Sequence, residues 1–165
     1  MKSDALKKLK FVPLYLLYLS TFGMAAVGKW RELPNGAPEW FQKQFAGTVL
    51  NLFPGALTAN YYLIATLESL VTLAFMVSLV MNFTTSLFGR EFMPDQERSM
   101  LQLSLWGAQF VFVVLGFGLR LAGDFHGAAE LFLYFGVTLL ASYIVGIVGI
   151  ASREAHESGD SAKNQ

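Results

Sequence analysis

The chain has 165 residues, 54% hydrophobic and 15% charged, with a formal net charge of zero and no cysteine. Charge balance excludes the basic surface that nucleic acid needs, and the lack of cysteine excludes disulfides, thiol relays and cysteine-held iron–sulfur clusters within the chain. The charges are also blocked: 11–28, 99–119 and 131–152 carry none and 44–89 carries only Glu68, which fits neither a soluble domain charged at every helical turn nor a disordered chain.

Runs of this length match the ~20 apolar residues of a membrane-crossing helix. The expected fold is therefore all-α. It is a four-transmembrane-helix bundle over 11–152, with an additional amphipathic helix in the outer loop between the first two spans.

Residues 1–10 form a basic lead-in with four lysines. The first span is expected at 11–27, with Pro13 in its first turn, where a missing N–H costs little. A cleaved signal peptide is the alternative reading of this start. Three further spans make an uncleaved helix the simpler one.

Residues 28–58 are the longest polar connection. Pro34, Asn35, Gly36 and Pro38 supply turn chemistry. The amphipathic helix is expected over 38–53, because Phe41, Phe45, Val49 and Phe53 recur at every fourth position. The second span is expected at 60–81, with Tyr61 and Tyr62 at its interfacial end. A charged loop with Arg90, Glu91, Asp95, Glu97 and Arg98 leads to the third span, expected at 99–119. A tight turn then leads to the fourth, expected at 131–152. The polar tail 153–165 is expected to fray.

Lysine and arginine counts give an orientation. With the N-terminus inside, the inner segments hold Lys2, Lys7, Lys8, Lys10, Arg90, Arg98, Arg153 and Lys163. The outer ones hold Lys29, Arg31, Lys43 and Arg120. This bias predicts a bacterial-type cytoplasmic (inner) membrane protein with both termini in the cytoplasm.

Glu68 is the outlier. It lies roughly 6 Å outward of the midplane at 1.5 Å per residue, and placing an acid there costs about 2.5–3.5 kcal/mol. It should therefore face the bundle interior or a wet cavity. Tyr61 and Thr72 share its face. Either Glu68 is protonated and bonds a neighbouring helix, or it is a proton-linked or ligand-binding carboxylate.

On the third span, Gln102, Gln109 and Gly116 are spaced by seven and share a face, with Arg120 one turn beyond. Helix–helix glue is one reading. The sharper one is a polar slot lined by Gln109, Arg120 and Glu68. Arg120 is expected to reach Glu68 or to pair with Asp124. His126 is a candidate proton shuttle, a common use of imidazole. Alternatively these loop residues are interfacial anchors and caps.

Most of the outer connection, with Trp30, Arg31 and Trp40, reads as an aromatic belt. Lys29 directly ends the first span and can reach the same outer pocket. Ser142, Gly146 and Gly149 form a small-residue strip on the fourth span, suited to tight packing. The histidines, His126 and His156, lie in opposite segments, so no bis-histidine haem is expected. No metal site, phosphate-binding glycine loop or nucleophile elbow is visible.

The order of four segments resembles the DoxX-like family of small four-helix membrane proteins. TFGMAAVGKW ends the first helix, and the Pro/Trp/Phe-rich LPNGAPEWFQKQF follows. YYLIATLESL carries the one acid of the second helix, and FGLRLAGDFHGAAELFLYFG closes the third. The resemblance covers about 11–150. It implies a link to membrane oxidoreductases, the family name looking back to the membrane subunits of a thiosulfate:quinone oxidoreductase. It places the family's acid on Glu68 and the basic/acidic pair on Arg120 and Asp124.

The expected function is a redox-associated membrane subunit that binds a quinone-like ligand in an outer-leaflet pocket or anchors a partner oxidoreductase. Glu68 and Arg120 are the candidate catalytic residues, Glu68 exchanging a proton and Arg120 polarising a carbonyl. Lys29, Trp40, Phe41, Tyr61, Thr72, Gln109, Asp124 and His126 are the candidate ligand-binding residues, with Trp40 or Phe41 stacking on the ring. No intrinsic cofactor is expected; the quinone is substrate or ligand. The lipid bilayer is the expected surrounding, with a partner subunit or a second copy as the assembly partner. The alternatives are a non-enzymatic accessory subunit and a small proton-coupled transporter.

Overall fold

The computed structural model describes the backbone of residues 11–88 and 94–163 and the side chains of 11–84 and 96–147. The lead-in at 1–10, Arg90 and Glu91 lie outside the described residues, as do the side chains of Asp95, Gly149's neighbourhood and His156.

Among the described residues the chain is all-helical. Helix α1 is Val12–Glu32, α2 is Glu39–Phe45, α3 is Ala56–Phe88, α4 is Pro94–Leu121 and α5 is Phe125–Lys163. Three stretches are long and apolar enough to cross a membrane: Ala56–Thr84, Gln96–Leu121 and Phe125–Ile147. They point to a bilayer environment. Helix α1 has 21 residues, but its tyrosines, hydroxyls and charged C-terminal turn make it less apolar than these three. Its Tyr15 and Tyr18 turn inward and are buried.

The long helices pack in the order α1, α3, α4, α5. Tyr18 of α1 closes the set by donating to Thr138 of α5 at 2.6 Å. One core cluster fills the middle, with Tyr18 stacked on Phe75 at 4.8 Å and Phe22 against Phe112 at 5.1 Å. A second cluster lies under α2, where Phe41 meets Phe45 and Tyr61 at 4.6 and 4.9 Å.

Several polar side chains inside the bundle are paired across helices, while the buried Tyr15 hydroxyl has no hydrogen-bond partner among the described residues. Ser78 and Ser104 lie 3.1 Å apart and join α3 to α4. Asn82 donates to Glu97 at 2.5 Å across the same seam. Without water to satisfy these groups, each pair removes a desolvation cost that an unpaired partner would carry.

The amphipathic segment is shorter than its pattern implies. The helix expected over 38–53 ends at Phe45. The Thr48 N–H and hydroxyl both donate to the Phe45 carbonyl, at 3.1 and 2.8 Å, and its Oγ1 then accepts from Leu50 N at 3.2 Å. Thr48 thus stops α2 and starts a 3-10 turn at Val49–Asn51. Phe41 and Phe45 are buried as the spacing predicts, whereas Val49, Leu52 and Phe53 are exposed by 60, 78 and 61%. Gly36 and Gly55, at φ 84° and 85°, turn the chain before and after this segment, a conformation that costs glycine least.

The other bounds differ modestly. Helix α3 starts at Ala56, four residues before the expected span, and α1 runs on to Glu32. The tail expected to fray beyond 152 continues as helix to Lys163. Its Ala, Glu, Arg and Lys residues are good helix formers, and it has no proline.

Candidate functional site

The α2 end of the bundle holds the chemistry. Lys29 sits in the last turn of α1, where exposed carbonyls favour a cation. Its ammonium donates to both carboxylate oxygens of Glu68 on α3, at 2.9 Å each. Glu68 is 2% exposed. The expectation that this acid faces the interior is met, and its partner is an ammonium. One residue on, Trp30 Nε1 donates to Ser69 Oγ at 2.8 Å. One turn from Glu68, Thr72 Cγ2 lies 3.5 Å from where a Cβ on Gly23 would stand.

Tyr61, two turns from Glu68, is also buried and also held by α1. Its hydroxyl donates to Glu32 at 2.5 Å. Its ring meets the edges of Trp40 and Phe41 at 6.2 and 4.9 Å. The end of α1 therefore supplies both a cation and an anion to α3, three residues apart.

Beside the pair, α2, α3 and α4 line a half-open cavity of about 470 Å³. Its walls are mainly apolar, with Phe41 and Phe45 from α2, Ile64 from α3, and Val114 and Gly118 from α4. Lys29 is the one charged residue among the described residues that line it. Gln44 and Asn60 line it too, and each side-chain amide makes one hydrogen bond. The Gln44 amide reaches Asp124 at 3.5 Å and the Asn60 amide donates to the Leu50 carbonyl at 3.0 Å. A space of this size, apolar with one convergent polar group, suits a small ligand.

The predicted residues divide into two groups. Lys29, Trp40 and Phe41 line the cavity, and Glu68 and Tyr61 stand directly behind them. Thr72, Gln109, Arg120, Asp124 and His126 do not join the site. Thr72 donates to the Glu68 backbone carbonyl at 2.8 Å and so stays on its own helix. The Gln109 amide faces α5 and approaches the Thr138 carbonyl at 3.5 Å.

Arg120 is exposed, with its guanidinium 5.0 Å from the Phe125 ring centroid. Asp124 accepts the Gly127 N–H at 2.9 Å and so caps α5. His126 is a surface residue 3.4 Å from Glu130, one turn along the same helix. The slot of Gln109, Arg120 and Glu68 is thus not assembled. The end of α1 already supplies the cation that Glu68 needs, and the third-helix stripe turns toward α5.

That stripe is a packing seam. Gln102 bonds the Ser142 hydroxyl, and its amide oxygen, turned toward its donors, also accepts from Trp106 Nε1 at 3.2 Å. Gly116 leaves room for the Phe132 ring, which a Cβ would meet at 2.9 Å.

Sequence reasoning missed Glu32, Gln44 and the apolar walls. Glu32 is legible only as an acid one turn after Lys29, and Ile64, Val114 and Gly118 look like any other span residues.

Comparison with family models, with curated proteins and with solved structures finds no match to this chain.

Proposed function

We propose that this chain is a DoxX-like, four-span membrane protein that binds a quinone-like ligand in the cavity under α2 and works with a partner oxidoreductase. One observation carries the reading: an apolar cavity of about 470 Å³ with the Lys29 ammonium in its wall and the buried Glu68 carboxylate bonded behind it. The resemblance of residues 11–150 to DoxX-like proteins supports the redox context. The Lys/Arg distribution supports an inner-membrane location with both termini in the cytoplasm.

In this reading the ligand enters from the apolar phase and its ring packs against Phe41 and Phe45. Two of the three ammonium hydrogens of Lys29 are held by Glu68. The third donates to a ligand carbonyl. Quinone reduction takes up protons as well as electrons. The Lys29 ammonium gives its proton to the carbonyl oxygen by general acid catalysis and is reprotonated from water before the second proton transfer, and the partner supplies the two electrons. Arg120, exposed and resting on the Phe125 ring, has no part in the step.

A non-enzymatic accessory subunit is the second reading. It is favoured by the number of polar groups spent on helix pairing, Gln102, Ser104, Thr138 and Ser142 among them.

The test is ligand retention. The protein is purified in mild detergent, its bound lipids are extracted, and quinone is sought by absorbance and mass spectrometry. Quinone should accompany the wild type and be lost from Gly118→Leu, which fills the cavity without touching the ion pair. Quinone absent from the wild type, or retained equally by Gly118→Leu, sinks the reading.

A further inference from the structure

The charge state of the cavity wall restricts what it can hold. Lys29 is the one charged wall residue described, and its charge is already matched. Both Glu68 oxygens lie 2.9 Å from its Nζ, and the carboxylate is shut off from solvent on the far side. The wall is therefore neutral as a unit, with one charged N–H, the third of the Lys29 ammonium, left to donate. The two amides nearby are neutral donors, each with one N–H spent, Gln44 on Asp124 and Asn60 on Leu50.

A neutral acceptor, such as a ketone or quinone carbonyl, takes that N–H and adds no charge. A carboxylate, phosphate or sulfonate would place a second anion on an ammonium that Glu68 already neutralises. In apolar surroundings that repulsion is poorly screened, and neither anion has another cation among the described lining residues to turn to.

We propose that the cavity selects neutral, carbonyl-headed apolar ligands over anionic amphiphiles of the same length, and that Glu68 sets this choice by occupying the charge of Lys29. The proposal rests on the cavity being a ligand site. It adds the chemical class of the headgroup and names the residue that determines it.

Two diazirine-bearing probes of equal chain length test it, a 2-alkanone and a permanently ionised alkyl sulfonate. Each is presented to the full chain in mixed neutral micelles, and labelling of the peptides that carry Ile64 and Gly118 is read by mass spectrometry. The ketone should label the wild type at least tenfold more than the sulfonate. Glu68→Gln, which leaves Lys29 unmatched, should invert the preference. Ile64→Lys adds a cation to the wall without breaking the pair, and it should gain sulfonate labelling even if Glu68→Gln does not fold.

Equal labelling of the wild type by both probes overturns the selectivity while leaving a ligand site standing. So does a preference unchanged in both variants. Failure of both probes to label the wild-type cavity removes the ligand site itself, and the inference with it.

Discussion

The Lys29–Glu68 pair sets the energetics at the level of single side chains. Two charges taken out of water are stable only together, and removing one partner strands the other at a cost of about 3–5 kcal/mol. Lys29→Met and Glu68→Gln should therefore each lower the melting temperature in detergent. Lys29→Met/Glu68→Met should recover most of the loss, because an apolar pair of similar volume is tolerated. A double variant as unstable as either single one would show that the stability lies elsewhere. Glu68 is legible in the sequence because one acid in a long uncharged stretch has few physical options. Its partner is less so. Arg120 and Lys29 both end apolar runs near the right depth, and only the packing of α1 on α3 decides between them. Once Lys29 is in place, Arg120 has no buried anion to approach, and it rests on Phe125, a contact worth about 0.5–1 kcal/mol at an exposed site.

The helix periodicity was informative about faces and less so about what each face meets. Gln102, Gln109 and Gly116 do share a side of α4, and that side meets Ser142, Thr138 and Phe132 of α5. Gly116→Ala should press a methyl group on the Phe132 ring, with a loss of roughly 1–3 kcal/mol. Phe132→Leu in the same chain should restore most of it. Gly118→Ala, one half-turn away, has its nearest neighbour at 3.9 Å and should leave stability equal or up to ~1 kcal/mol higher, as alanine favours helix. Thermal unfolding of the variants separates these outcomes, and equal effects at the two glycines would refute the close approach. The limits of α2 were legible only at its start. Pro38 marks the beginning, but the i+4 aromatic pattern runs on through Val49 and Phe53, and it takes the Thr48 hydrogen bonds to end the helix at Phe45.

At the scale of the whole molecule, the described residues hold three apolar helices that the sequence announces by their missing charges, and a fourth long helix, α1, that buries two tyrosines and leaves Ser20 and Thr21 on its surface. Tyr15 and Tyr18 lower the apolar character of α1, yet both are buried. If α1 also crosses, α2 and residue 96 lie on opposite sides of the membrane and the N-terminus lies with residue 96. The chain has no cysteine, so single substitutions can report this cleanly. Lys43→Cys and Gln96→Cys should react with an impermeant maleimide from opposite sides, and an N-terminal tag should be accessible from the side of Gln96. A tag found on the side of Lys43 would limit the crossing helices to three.

The ion pair also bears on how the chain is made. Lys29 and Glu68 are separated by 39 positions, and synthesis proceeds from the N-terminus, so the cation is in place before the acid emerges. Helix α3 on its own would carry an unmatched carboxylate into lipid, an insertion cost of about 2.5–3.5 kcal/mol. The last turn of α1 offers that carboxylate a partner. If α3 inserts after α1, the Lys29 ammonium offsets part of that cost, and Lys29→Met should then lower the share of α3 that inserts in a translocation assay, whereas unchanged insertion would confine the pair to the folded bundle.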